Sequence, residues 1–255
     1  MARKEISGPD GLDRHLAGMR ARRQRRDAVI LDGQLVWIRT SVPKRLMVQV
    51  SKGPPRWVLA RETRLLRAMG ARGAPVPEVL AAGPDYLVLA DCGRALSDLL
   101  AEGPDDATAA RLMAATGTAL ARMHALGCIH GRPYLRDILV DRAGEVRFID
   151  LERGARLKAP GRRKARDLTM LVFSIHARFP PERAAALIEP LLAAYFAAAP
   201  EMAGITARWC RRWRWLVPAT APMRWREARY KSHKLWKEYA ALPPTLARLS
   251  RVPAR

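Results

Sequence analysis

Cysteine is scarce: Cys92, Cys128 and Cys210 are the only three in 255 residues, and no C-x-x-C pair occurs. Such spacing argues against a disulfide framework or a zinc site and points to a reducing, cytoplasmic setting. Long apolar runs are lacking too. The nearest approach to a membrane span, Ala184 to Pro200, is broken by Glu189 and Pro190. It falls short of the roughly 20 apolar residues a span needs, so we expect a buried helix and its neighbour there. The opening residues "MARKEISGPDGLDRH" hold no apolar core of the kind a secretory leader carries. Acidic residues are few, with 24 Asp and Glu against 46 Lys and Arg, a formal net charge of +22. So positive a chain favours a polyanionic partner: nucleic acid, an anionic lipid surface or a phosphorylated substrate. The Arg- and Ala-rich composition of a GC-rich genome would produce the same excess, and both readings stand.

The length suits one large or two small domains and buries an ample core without staples. Residues 1–27 include the basic run "MRARRQRR" and read as an arm, either solvated or a helix lying on an anionic surface. From Asp27 the pattern becomes β-prone. Two apolar runs flank Asp32-Gly33, the dipeptide of a tight hairpin, which predicts strands near 28–31 and 35–40. "RWVLARETRLLRAMG" has helical spacing and stops at Gly70. Strands at about 78–82 and 86–90 follow, around a Gly-Pro-Asp turn. From Arg94 helices dominate, among them a long one in "DDATAARLMAATGTALARMHALG". The expected organisation is therefore an α+β chain: a basic arm to 27, a small β-rich lobe over 28–90 and a helical lobe over 91–255.

Between the long helix and the later ones lies "HGRPYLRDILVDRAGEVRFIDLE", His130 to Glu152: a polar turn, a short hairpin and an apolar strand ending in Asp. With "PVPEVL" leading into "YLVLADCG", and with Glu62 on the preceding helix, the order of parts resembles the protein-kinase-like superfamily, and within it the bacterial lipopolysaccharide-core and Kdo kinase branch. The resemblance spans roughly 28–175. It implies a bilobal kinase-like fold, ATP and magnesium as cofactors, and a nucleotide site in the small lobe.

In the superfamily's catalytic loop, H-R-D-x-x-x-x-N, the Asp accepts the substrate hydroxyl proton and the Asn holds a metal. Here His130 matches, Gly131 stands for Arg, Arg132 for the catalytic Asp and Asp137 for the Asn. The base is replaced, yet a carboxylate occupies the metal position. Asp150 matches the Asp of D-F-G, which holds magnesium against phosphates, and Glu152 makes the motif D-x-E, as in sugar and antibiotic kinases. Each has a bland alternative. Asp150 could simply end a buried strand, Asp137 could pair locally with Arg136, and His130 could brace the turn backbone. His124 reads as a surface or core histidine. Asp167 in "ARDLTML" resembles the helix aspartate that anchors the loop backbone, or else sits at a helix N-terminus. Glu62 needs a cation, which would be Arg39 in "VWIRT" or else Lys44 or Lys52. Asp91 and Gly93, at the expected hinge, are the remaining cofactor-binding candidates. A G-x-G-x-x-G loop over the phosphates is missing, and Gly33 by itself suits a hairpin turn.

The C-terminal stretch from Arg208 to Lys237 opens with four arginines and three tryptophans in eight residues, "RWCRRWRW". Interleaved cations and indoles suit the headgroup layer of a membrane and also single-stranded nucleic acid, while Trp209 and Trp213 fall on one helical face that could pack in the core. The expected function is ATP-dependent phosphate transfer to a sugar or lipid-linked saccharide at the cytoplasmic face of the inner membrane. A pseudokinase that binds or scaffolds, and a basic nucleic-acid-binding protein, are the alternatives.

Overall fold

The computed structural model describes residues 3–42, 54–151, 154–219, 221 and 234–253. The chain divides into two compact units, one of Met1–Cys92 with Ile149–Glu152, the other of Gly93–Phe148 with Arg153–Arg255.

The first unit is built on a sheet of order β1-β2-β3-β5-β4: β1 Glu5–Ile6, β2 Arg26–Leu31, β3 Gln34–Thr40, β4 Val79–Ala82 and β5 Tyr86–Ala90. Asp32 and Gly33 both take positive φ, 50° and 80°, so the β2–β3 connection has the left-handed pair that matches strand twist. Helix α1, Gly8–Ala21, corrects the expected arm. Leu12, Leu16 and Met19 repeat at helical spacing and are buried with Ile6, Val29, Val36, Ile38 and Val88. At roughly 1.5–3 kcal/mol per buried side chain, this apolar stripe holds an otherwise basic segment on the sheet. Asp32 Oδ1 accepts from the Gly8 amide at 2.9 Å, Arg20 donates twice to Asp85 at 2.7 and 2.8 Å, and His15 Nε2 lies 3.0 Å from Asp27 Oδ2. Helix α2, Pro55–Gly70, turns Leu59, Glu62, Leu66 and Met69 inward, all buried.

In the second unit β6, Arg94–Ala95, β7, Ile138–Val140, and β8, Val146–Phe148, form a small sheet in that order. The helices are α3 Leu96–Ala101, α4 Asp106–Ala125, α5 Gly161–His176, α6 Pro181–Ala198, α7 Glu201–Trp213, α8 Leu216–Ala219 and α9 Lys234–Ser250. Asp105 caps α4 by accepting from Thr108 N at 2.7 Å. The stretch around Pro190 is one continuous helix of 18 residues, not a helix and its neighbour. Proline removes one N–H from the ladder, but Leu187, Ile188, Leu191, Leu192 and Tyr195 are buried and hold the two halves to the same core. A Cβ on Gly117 would collide with the Leu191 carbonyl oxygen, so α4 and α6 meet backbone to backbone there. No helix among the described residues is long and apolar enough to cross a membrane.

Candidate active site

In the first unit, alternation along β3 decides the pairing of Glu62. Val36, Ile38 and Thr40 are buried on the side facing α1, while Leu35, Trp37 and Arg39 point the other way. Arg39 Nη1 donates to Glu62 Oε1; the carboxylate is 2% exposed and the arginine side chain 16%. Among the described residues, the strand arginine is a cation on this carboxylate, a planar donor that holds it with fixed geometry. Lys44 and Lys52, the other candidates, lie outside the described residues. On the same face of β3, Trp37 Nε1 donates to Asp91 Oδ1 at 2.8 Å, and the Asp91 amide donates to Leu35 O at 3.2 Å. Asp91 therefore has a job inside its own unit, which its place in "LADCG" does not betray.

Asp150 also belongs to the first unit and takes φ 64°. Left-handed backbone is uncommon outside glycine, though Asp tolerates it better than most. The side chain is half-buried. Among the described residues its carboxylate has no hydrogen bond or ion pair. Glu152 lies outside the described residues.

In the second unit the turn after α4 is hung on α5. Asp167, in the body of that helix and not at its N-terminus, is 1% exposed. Its Oδ2 accepts from His130 N at 2.7 Å and its Oδ1 from Gly131 N at 2.8 Å, so one side chain satisfies two consecutive amides. Gly131 has φ 93°, a conformation that suits glycine and explains why no arginine stands there. His130 is buried beside Phe148, ring centroids 6.1 Å apart. Its Nδ1 accepts from Arg132 N at 3.3 Å, the backbone-bracing role among the alternatives. Ile129 and Arg156 close the turn as an antiparallel bridge.

The Arg132 guanidinium sits 4.8 Å from the Tyr134 ring centroid, and that of Arg136 5.6 Å from the same ring. Two cations thus lie over one aromatic ring, each attracted by its quadrupole. Nothing in the loop motif singles out Tyr134, although an aromatic between two arginines is a signal that could have found it. Asp137 ends a 3-10 turn, Leu135–Asp137, and is buried, with Oδ1 3.6 Å from Arg136 Nε. Gly93 has φ 86°, and a Cβ there would meet the Val140 carbonyl oxygen; close approach to β7 accounts for the glycine. The Trp209, Trp213 and Trp215 rings form a ladder, with centroids 5.5 and 6.2 Å apart. The first two are half-buried and Trp215 is 62% exposed. Residues 220 and 222–233 of the basic end lie outside the described residues.

A sheet whose strand cation is locked to a helix carboxylate, together with a helical unit whose loop backbone hangs from a buried helix aspartate, defines the protein-kinase-like class. More narrowly, the chain belongs to the lipopolysaccharide kinase (Kdo/WaaP) family, whose model matches residues 44–195. It is 28% identical over 122 residues to an uncharacterised protein of Haemophilus influenzae, covering 48% of this chain and 50% of that one. It also resembles the bifunctional kinase-methyltransferase WbdD, at 17% identity and a TM-score of 0.45, over 93% of this chain and 45% of that one. The chain thus spans about half the length of each of these two proteins.

Proposed function

We propose that the chain is an ATP-dependent phosphotransferase acting on a hydroxyl of a sugar or lipid-linked saccharide at the cytoplasmic face of a membrane. The observation that carries the reading is Asp150: a carboxylate with no hydrogen bond or ion pair among the described residues, on left-handed backbone, at the position where the family motif calls for a metal ligand. Backbone kept in a sparsely populated region is a mark of functional sites. Asp150 offers the hard oxygen donors that magnesium selects, and Asp137 is a donor of the same kind in the second unit. Bound with the nucleotide, magnesium would neutralise phosphate charge.

The remaining work falls to this chain's own groups. Arg39, braced by Glu62, would bind phosphate oxygens. Arg132 is no base, since an arginine pKa lies above about 12, but phosphoryl transfer asks more for positioning and charge neutralisation than for proton abstraction. Arg132 and Arg136, both seated on Tyr134, would offset charge on the transferring group. Asp137 is the loop carboxylate left to orient the acceptor hydroxyl. Calorimetry tests this: the protein should bind ATP only with a divalent ion, and Asp150→Asn should remove most of that binding. Equal affinity in the variant, or in chelator, would refute the metal assignment.

A second reading, a pseudokinase, is favoured by Arg132 in the base position. Arg132→Asp separates the two. A gain in ATP turnover means that the base was lost, whereas a further loss means that the arginine works in catalysis.

Membrane attachment is supported by the end of α7, where Arg208, Arg212 and Arg214 are exposed beside Trp215. Each near-surface cation contributes about 1 kcal/mol toward anionic lipid. Sedimentation with anionic vesicles should fall as salt rises and fall again in Trp215→Ala. Equal binding to neutral vesicles, or far tighter binding to single-stranded DNA, would replace this reading.

A further inference from the structure

Behind the loop, the helical unit buries a polar chain that the roles above leave unused. Tyr195 Oη on α6 lies 2.7 Å from Nδ1 of His124 on α4. His124 Nε2 in turn lies 3.5 Å from Oδ2 of Asp167, the carboxylate that takes the His130 and Gly131 amides. Tyr195 and His124 are at most 1% exposed, so water does not compete for any of these atoms. The contact exists because Gly117 lets α4 and α6 touch at Leu191, one turn before Tyr195.

The chemistry of the three groups gives the chain a direction. Burial pushes the Tyr195 hydroxyl well above its ordinary range and the His124 imidazole below its own, so the phenol keeps its proton and the ring is neutral. A neutral imidazole has one N–H and one lone pair. Were the N–H on Nδ1, the lone pair of Nε2 would face the Asp167 carboxylate, acceptor against acceptor. With Tyr195 donating to Nδ1, the N–H falls on Nε2 and faces the carboxylate across 3.5 Å, a dipole-to-charge contact longer than a hydrogen bond that leaves the carboxylate's closer approach to the two loop amides.

We propose that Tyr195 and His124 are positioning residues for the loop at His130–Arg132: the tyrosine sets the histidine tautomer, and the histidine keeps Asp167 turned so that each oxygen takes one loop amide. That the loop is catalytic rests on the function proposed above; that the chain holds the loop does not. Where turnover is measurable, loss of the hydroxyl should lower kcat with KM for ATP unchanged, by on the order of 10²-fold per 1 Å of loop displacement.

The test needs neither nucleotide nor acceptor. In the full wild-type chain, nitrogen NMR should find His124 protonated on Nε2, and an Nδ1–H tautomer overturns the proposal. In Tyr195→Phe, hydrogen exchange at His130 and Gly131 should quicken by about tenfold, the worth of one buried hydrogen bond, while β2 and β3 keep their rates. Leu191→Ala, which cuts the same helix but keeps the hydroxyl, should loosen α4 and α6 without singling out those two amides. Unchanged exchange in Tyr195→Phe, or equal quickening in Leu191→Ala, refutes the relay. Loss of ATP binding by the wild type would refute the proposed function instead and leave these outcomes standing.

Discussion

Arg39→Ala takes the guanidinium donor away from the Glu62 carboxylate, 2% exposed, at the inner face of α2. Removing one partner of a buried ion pair costs about 3–5 kcal/mol, because the remaining charge stays out of water without compensation. Against a whole-domain stability of about 5–15 kcal/mol, that is roughly a fifth or more of what holds a small unit together. With a urea slope of about 1–3 kcal/mol/M, a loss of about 4 kcal/mol moves the midpoint down by about 2 M. Urea unfolding followed by tryptophan fluorescence reads the shift, and hydrogen exchange of β3 and α2 peptides assigns it to the first unit. The double variant Arg39→Met with Glu62→Leu should recover most of the loss, since apolar replacement of a whole buried pair is often neutral or stabilising. It should still fail to bind ATP if the pair serves phosphate. A loss below about 1 kcal/mol in Arg39→Ala would show that Glu62 finds water or another cation, and the pairing argument would fall.

Gly93→Ala adds a Cβ against the Val140 carbonyl on backbone of positive φ, so it should destabilise the second unit by more than about 1 kcal/mol, read as a lowered melting temperature; an unchanged value contradicts the close approach. Gly117→Ala forces α4 from α6 and should cost about 1–3 kcal/mol as an overpacked contact, checked by urea titration. His15, His124 and His176 all have pKa values lowered from 6.5, chiefly by burial. Each therefore takes up its proton more readily when unfolded. Their contribution is complete above about pH 6.5 and is lost as pH falls from there toward the folded values, so calorimetric melting between pH 7.5 and 5.5, ranges chosen around that value, should show a steady decline; a flat profile refutes it.

Local chemistry was legible and long-range pairing was not. Asp32-Gly33 announces its turn because positive φ is a property of the dipeptide itself. Glu62 stands out as the helix carboxylate that the kinase-like resemblance implies, yet its partner depends on which face β3 turns to α2. Asp167 was readable as an anchor because the motif order places it. His124 and Tyr195, 71 residues apart, share no pattern, and only the Gly117 contact brings them together. Charge misled at α1. "MRARRQRR" dominates the composition of residues 1–27, while Leu12, Leu16 and Met19, spaced for a helix, settle where the segment goes. At Pro190 a proline reads as a stop in sequence, but burial on both sides outweighs one missing N–H and the helix runs through.

The seat of α1 also governs how the chain can be handled. Cutting away the first 25 or so residues, as their charge invites, would strip Leu12, Leu16 and Met19 from one wall of the sheet. Val29, Val36, Ile38 and Val88 would then face water as one apolar patch beside a β2 edge no longer guarded by β1, an invitation to pair with another molecule. The shortened protein would be expected to precipitate or self-associate, and its insolubility would say nothing about the catalytic loop.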